Sequence, residues 1–157
     1  MERQYYLAYG SNLNLAQMYA RCPDADLYGV GVIKNYELVF RRSQTGAYLT
    51  IEPREGSEVS VGIFLVSKRD IRSLDAYEGF PNLYYKKAFT VPAKPDGEDG
   101  LQKIKGFAYI MDETRPLGEP QKRYLLTCRQ GYLDFGFELA DIDDAVSRTT
   151  GRMNDAD

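Results

Sequence analysis

Tyr5-Tyr6-Leu7-Ala8-Tyr9-Gly10-Ser11-Asn12-Leu13-Asn14-Leu15 is the stretch that decides how this chain is read. Residues 5–9 have the aromatic and apolar composition of a strand. Asn12 or Asn14 can then cap a short helix carrying Leu15, Met18 and Tyr19, which stops before Pro23. A glycine between strand and helix permits a tight turn with positive φ. Such a turn aims successive backbone N–H groups outward beside a helix N-terminus, an arrangement that binds a carboxylate or phosphate. Taken alone, Gly-Ser-Asn is also ordinary turn punctuation.

Beyond Pro23, segments 27–33 and 36–42 read as a hairpin around Lys34-Asn35. Strands near 47–52 and 59–66 follow, split by Arg54-Glu55-Gly56-Ser57. Ser67-Lys68-Arg69-Asp70 opens a helix, because Ser67 can accept from its N-terminus and Asp70 supplies the charge favoured there. Gly79 is the natural stop. Strands near 84–91 and 104–111 form another hairpin with 96–100 in its loop. Pro120 starts a helix running to about Arg129, and a short helix near 139–147 follows. The sum is α+β: mostly antiparallel strand with three or four short helices. One domain over 1–148 is expected, with 149–157 a frayed tail.

The composition narrows the chemistry. The chain of 157 residues has 43% apolar residues and a net charge of −3, enough for one core and no electrostatic pull toward nucleic acid. No apolar run approaches the roughly 20 residues that span a bilayer. Met1-Glu2-Arg3-Gln4 leads straight into the first strand without a signal-like apolar region, so a cytoplasmic protein is expected. Cys22 and Cys128 fit no metal or redox spacing and read as reduced structural thiols. The chain has no histidine. That removes Ser-His-Asp and Cys-His sites and His-ligated zinc. Acid–base work then falls to Asp, Glu, Tyr, Lys or Cys with a shifted pKa.

Glu78 is the leading candidate. It lies seven positions after Ile71 and four after Leu74, on the apolar stripe of its helix. A carboxylate on a buried face costs free energy unless paired or protonated, and desolvation raises its pKa toward the range of a usable base. The alternative is that Glu78, last in its helix, bends out to solvent. Asp75, four after Ile71, reads as a structural group that hydrogen-bonds the neighbouring turn, with a second acid as the alternative. Tyr84, Tyr85, Tyr109 and Tyr124, among 13 tyrosines, are core residues by default and pocket walls by option.

Taken together, these segments resemble the γ-glutamylcyclotransferase family. Residues 6–13 look like its N-terminal signature, and Arg21-Cys22-Pro23 and Tyr36-Glu37-Leu38-Val39-Phe40 like its next blocks. Leu74-Asp75-Ala76-Tyr77-Glu78-Gly79 looks like the segment bearing the catalytic glutamate. Pro120 to Tyr124, followed seven residues later by Gly131-Tyr132, looks like the C-terminal helix segment. The resemblance covers roughly residues 5–137. It implies a small barrel-like mixed sheet with a pocket between the signature turn and the glutamate. It assigns substrate binding to Tyr9, Gly10, Ser11, Asn12 and Leu13, and catalysis to Glu78. Pocket tyrosines of the family match Tyr109, Tyr124 and either Tyr84 or Tyr85, with Tyr85 favoured by its distance from Glu78.

The implied reaction is intramolecular: the α-amine of a γ-glutamyl compound attacks its own γ-carbonyl and releases 5-oxoproline, without a cofactor or metal. The partner is a small γ-glutamyl molecule, not nucleic acid or membrane, and a homodimer is among the states the sequence allows. Two other readings stay open: a non-catalytic ligand-binding member of the same fold, and a related activity on γ-glutamylated amine metabolites. The leaving group cannot be read.

Overall fold

The computed structural model describes residues 2–155. Five strands close into a barrel: β1 (Gln4–Ala8), β2 (Asp26–Arg42), β3 (Ala47–Val66), β4 (Tyr84–Pro95) and β5 (Gln102–Met111), in the order β1-β3-β2-β4-β5. All neighbours are antiparallel except β1 and β5, whose parallel contact at Tyr6 and Phe107 closes the ring. Four helices accompany it: α1 (Leu15–Arg21), α2 (Lys68–Glu78), α3 (Lys122–Phe135) and α4 (Leu139–Asp155). The architecture is the expected α+β barrel. Among the described residues, no helix is long and apolar enough to cross a membrane.

The cap signals of α1 and α2 act as read, whereas α3 starts at Lys122 with Gln121 as its N-cap, so Pro120 precedes it, and it runs past Arg129 to Phe135. Asn14 accepts from the Gln17 N–H and caps α1. Ser67 and Asp70 form a reciprocal capping box on α2, and Gly79 ends it at φ 65°. The strand reading needs correction. Lys34-Asn35 is not a hairpin turn, and 54–57 does not separate two strands. Instead β2 and β3 are single strands of 17 and 20 residues, paired from Asp26↔Leu65 to Arg42↔Ala47. Asn35, at φ 64°, and residues 54–57 face each other as an irregularity inside that pairing, where the Gly56 N–H donates to Asn35 Oδ1. Turn-forming residues here make a bulge, because apolar residues such as Ile33, Leu38, Ile51 and Val59 continue into the core on either side of it.

The free edge of β2 beyond this bulge is covered by α4. Thr149 accepts from the Phe40 N–H at 3.1 Å, and Arg148 donates to the Leu38 carbonyl at 2.7 Å. Glu37 pairs with Arg148 and Arg152. Covering an edge this way removes a template for strand addition. It also explains why the helix runs to Asp155, with Thr149 fully buried, where the sequence reading stopped it near 147.

Helix α3 braces the segment after β1. Gly131 sits against the backbone there: a Cβ on it would meet Asn14 N at 2.5 Å. The Tyr132 hydroxyl donates to the Tyr9 carbonyl at 3.1 Å, and Asn14 Nδ2 donates to Thr127 O at 3.3 Å.

Candidate active site

The turn after β1, the last turn of α2 and the inner faces of β3, β4, β5 and α3 enclose a cavity of about 170 Å³, on the scale of a small metabolite. Tyr9, Gly10, Ser11 and Asn12 line it, as do Glu78, Tyr109 and Tyr124. Residues as far apart in sequence as Tyr9 and Tyr124 thus share one hollow.

Two expected residues lie elsewhere. Leu13 does not line the cavity; its side chain is fully buried in the core, close to Gly62 and Gly131. Tyr85 points away, half out in solvent, and donates to the Glu113 carboxylate at 2.6 Å. Tyr84 takes the cavity position. The cause is strand register. Lys86 pairs with Tyr109 and Tyr84 with Met111, so Tyr84 and Tyr109 fall on one face and Tyr85 on the other. Distance from Glu78 along the chain carries no such information.

The turn also differs in detail from its reading. Gly10 has φ −124° and ψ −130°, so positive φ is not what it supplies. A Cβ there would stand 3.4 Å from the Tyr124 hydroxyl, toward the cavity; glycine keeps that wall open. Ser11–Leu13 form one 3-10 turn, in which the Leu13 N–H returns to the Gly10 carbonyl and the Asn14 N–H to Ser11 O. Among the described residues, no protein acceptor meets the N–H groups of Gly10, Ser11 or Asn12. Those three groups are available to an anion.

The side chains of the turn are fixed from α1 and α2. Arg21 donates to Asn12 Oδ1, which leaves Asn12 Nδ2 to donate to the Tyr6 hydroxyl at 2.9 Å. Because a guanidinium only donates, this pair sets the amide's orientation. The Arg21 guanidinium also stacks 3.5 Å from the centre of the Tyr77 ring, and Tyr77 OH and Ser11 Oγ are 2.9 Å apart. Tyr6, Tyr48, Leu49, Tyr77 and Leu83 line the cavity too, and sequence reasoning passed over them. Tyr77 had a signal, three positions after Leu74 and beside Glu78. Tyr48 and Leu49 had none, since their place depends on the long β2–β3 pairing.

Among the described residues, Glu78 is the one charged side chain on the cavity wall. The residue is half-buried because the cavity reaches it, while protein atoms crowd its carboxyl on the other sides. Burial pushes that carboxyl up to about 8, against the pull of the nearby Arg21 charge. It therefore titrates close to neutral pH, where an acid–base group is useful. The phenols around it are displaced upward too, which for them means away from neutrality. Burial, with the Glu78 charge as a further cause, raises Tyr6, Tyr9 and Tyr84 well above the ordinary range. Cys128, behind Tyr124, is pushed up to about 12 by burial and is a protonated thiol, not a nucleophile. Among the described residues, no group of three carboxylate or cysteine side chains is gathered as metal ligands would be.

Comparison with known proteins identifies the family and the fold. A family model described as gamma-glutamyl cyclotransferase, AIG2-like, matches residues 6–127. Gamma-glutamylcyclotransferases of Bos taurus and Homo sapiens are each 30% identical over 101 residues, 60% of this chain and 54% of theirs. The chain thus spans about half the length of these curated relatives. A solved structure of a gamma-glutamyl cyclotransferase superposes with a TM-score of 0.80 at 25% identity, covering 92% of this chain and 86% of that one. With most of its length matched by the family model, the chain belongs to the AIG2-like gamma-glutamyl cyclotransferase family.

Proposed function

We propose that the protein converts γ-glutamyl amides into 5-oxoproline and a free amine or amino acid, with Glu78 as its acid–base group. One observation carries this reading. A single carboxyl poised near neutrality shares a small phenol-lined cavity with a turn that presents three unused N–H groups.

The turn receives the α-carboxylate of the glutamyl end on the N–H groups of Gly10, Ser11 and Asn12. Holding that chain folded brings the α-nitrogen to the γ-carbonyl, and proximity of this kind reaches effective molarities of order 10⁵–10⁸ M. Glu78, as carboxylate, takes a proton from the α-ammonium. The freed nitrogen pair attacks the γ-carbon, and the carbonyl π pair moves onto oxygen. Tyr124, whose hydroxyl oxygen accepts from the Leu49 N–H at 3.1 Å, donates its proton toward that oxygen. Collapse reforms the carbonyl and breaks the bond to the leaving nitrogen, which receives its proton from Glu78. The second proton lost from the α-nitrogen returns Glu78 to the acid form, and release to the departing amine or to water balances the cycle.

The test is 5-oxoproline release from γ-glutamyl dipeptides, γ-glutamylamines and glutathione. At least one is expected to turn over, while α-glutamyl isomers and N-acetylated γ-glutamyl compounds stay inert, since cyclisation needs a free α-amine and a γ-linkage. No turnover of any γ-glutamyl compound would favour a ligand-binding protein of the same fold. Comparable turnover of an α-glutamyl dipeptide would refute the mechanism.

A further inference from the structure

The cavity tyrosines are not chemically equivalent, because each phenol owns one proton and the protein has already claimed some of them. The Tyr9 hydroxyl donates to the Tyr109 carbonyl at 2.5 Å. The Tyr84 hydroxyl donates to the Leu49 carbonyl at 2.8 Å. The Tyr109 hydroxyl donates to Asp75 Oδ1 at 2.6 Å. A carbonyl or carboxylate oxygen can only accept, so these directions are forced. Each of the three phenols has spent its proton on the protein, and what remains is an oxygen with acceptor lone pairs. Tyr6 and Tyr124 are the reverse: their oxygens accept from Asn12 Nδ2 and the Leu49 N–H, and among the described residues no carbonyl or carboxylate takes their protons.

The cavity lining therefore divides by chemistry into an accepting set, Tyr9, Tyr84, Tyr109 and the Glu78 carboxyl, and a donating set, Tyr6, Tyr124 and the turn. Acceptors of this kind suit a cation with several N–H bonds. Two of the three phenols are fixed by backbone carbonyls that no substitution removes. The third depends on a side chain outside the cavity lining: Asp75, one turn before Glu78 on α2, charge-balanced by Lys86 Nζ at 2.9 Å.

We infer that Asp75 is a positioning residue: by taking the Tyr109 proton it keeps that hydroxyl an acceptor, and so completes a subsite for the substrate's α-ammonium. The inference rests on the proposed γ-glutamyl substrate and assigns the accepting set of the cavity to its amine. Asp75→Asn undoes it. Lys86 then holds the amide oxygen, the amide N–H₂ faces Tyr109, and the phenol's proton turns into the cavity toward a like charge. The alternative is a partly exposed Lys86–Asp75 pair of little consequence, which affects all ligands alike.

Binding separates the two. Turnover is blocked with Glu78→Gln as the parent, and calorimetry measures two probes: γ-glutamylmethylamide and N-methylglutaramate, identical except for the α-ammonium. The parent is expected to prefer the ammonium-bearing probe. Adding Asp75→Asn should cut that preference about ten-fold, the worth of a hydrogen bond to a charged group, and leave N-methylglutaramate binding unchanged. Tyr109→Phe removes the acceptor without touching Asp75 and should cut it similarly. The combination should do no worse than Tyr109→Phe alone, the non-additivity expected of residues acting through one another. Thermal melts establish that each variant is folded, and Tyr109→Phe carries the test should Asp75→Asn be unfolded. A preference retained in Tyr109→Phe, or lost equally for both probes in Asp75→Asn, overturns the inference while leaving the proposed reaction standing. A parent that binds neither probe overturns both.

Discussion

Replacing Glu78 by Gln should destroy activity and at the same time change how stability depends on pH. The Glu78 carboxyl titrates near 4.5 when unfolded and near 8 in the folded chain, where burial disfavours its charge. The folded state therefore holds its proton more tightly than the unfolded state does. The wild type is most stable below pH 4.5, as far as this group is concerned, and loses stability as pH rises through 8. Each pH unit in that window costs about 1.4 kcal/mol, which sets a ceiling of about 5 kcal/mol. The cavity admits water to the carboxyl, and solvent screening cuts this to about 2–3 kcal/mol. Gln carries no charge at any pH and escapes the cost.

Urea midpoints for both proteins from pH 5 to 9 read this directly, because all other titrating groups cancel in the difference. The variant should gain on the wild type steadily up to about pH 8 and then hold a constant lead. Its 5-oxoproline release should fall about 10²–10⁴-fold, mainly in kcat, since the turn, and not Glu78, is the proposed holder of the glutamyl end. Parallel midpoint curves would refute the claim that the carboxyl is desolvated. Lost activity with a large drop in midpoint would mark Glu78 as a structural residue satisfied by bonds that Gln cannot copy.

Two further outcomes follow from the same geometry. kcat/KM should rise with pH along an acid limb near 8, and Arg21→Met should move that limb upward, because the Arg21 charge opposes the burial effect on Glu78; an unmoved limb would remove Arg21 from the electrostatics of the site. Gly131→Ala would put a methyl 2.5 Å from Asn14 N, a backbone atom that cannot move alone, so a loss of about 1–3 kcal/mol in chemical denaturation is expected, and an unchanged midpoint would show that α3 does not brace the turn.

Local chemistry was legible in the sequence, and long-range geometry was not. Ser67 and Asp70 can be read as a capping box because its partners lie three residues apart. Glu78 can be placed on the buried stripe because a helix repeats every 3.6 residues. Tyr84 and Tyr85 cannot be told apart in this way: which one faces inward is set by the pairing of Lys86 with Tyr109, 23 positions away. Asn35 and the 54–57 segment carry real turn chemistry, yet whether a turn residue reverses a strand or bulges it depends on what continues on the far side. The length of α4 was hidden for the same reason, since the residues that hold Thr149 and Arg148 are Phe40 and Leu38, far back in the chain. Gly10 shows a subtler limit. The sequence offers a glycine and the structure uses its missing Cβ, not its freedom of φ.

Glu78 is where the sequence departs from the rule that a helix keeps charge off its buried stripe, and that departure is itself informative. Every neighbour of α2 could have been satisfied with an apolar residue at this position, at a gain in stability. The chain instead closes a barrel through one parallel contact, which brings the end of β1 beside Tyr109 on β5, and sets the last turn of α2 against both. It then lowers the cost of the buried carboxyl only in part, with Arg21 near enough to oppose the shift and not near enough to abolish it. A closer ion pair would return Glu78 to the ordinary carboxylate range, more stable and too weak a base for an ammonium. A fully apolar wall would hold the carboxyl protonated at every physiological pH. A value near 8 lies between these, and the instability it imposes is what acid–base work at neutral pH requires.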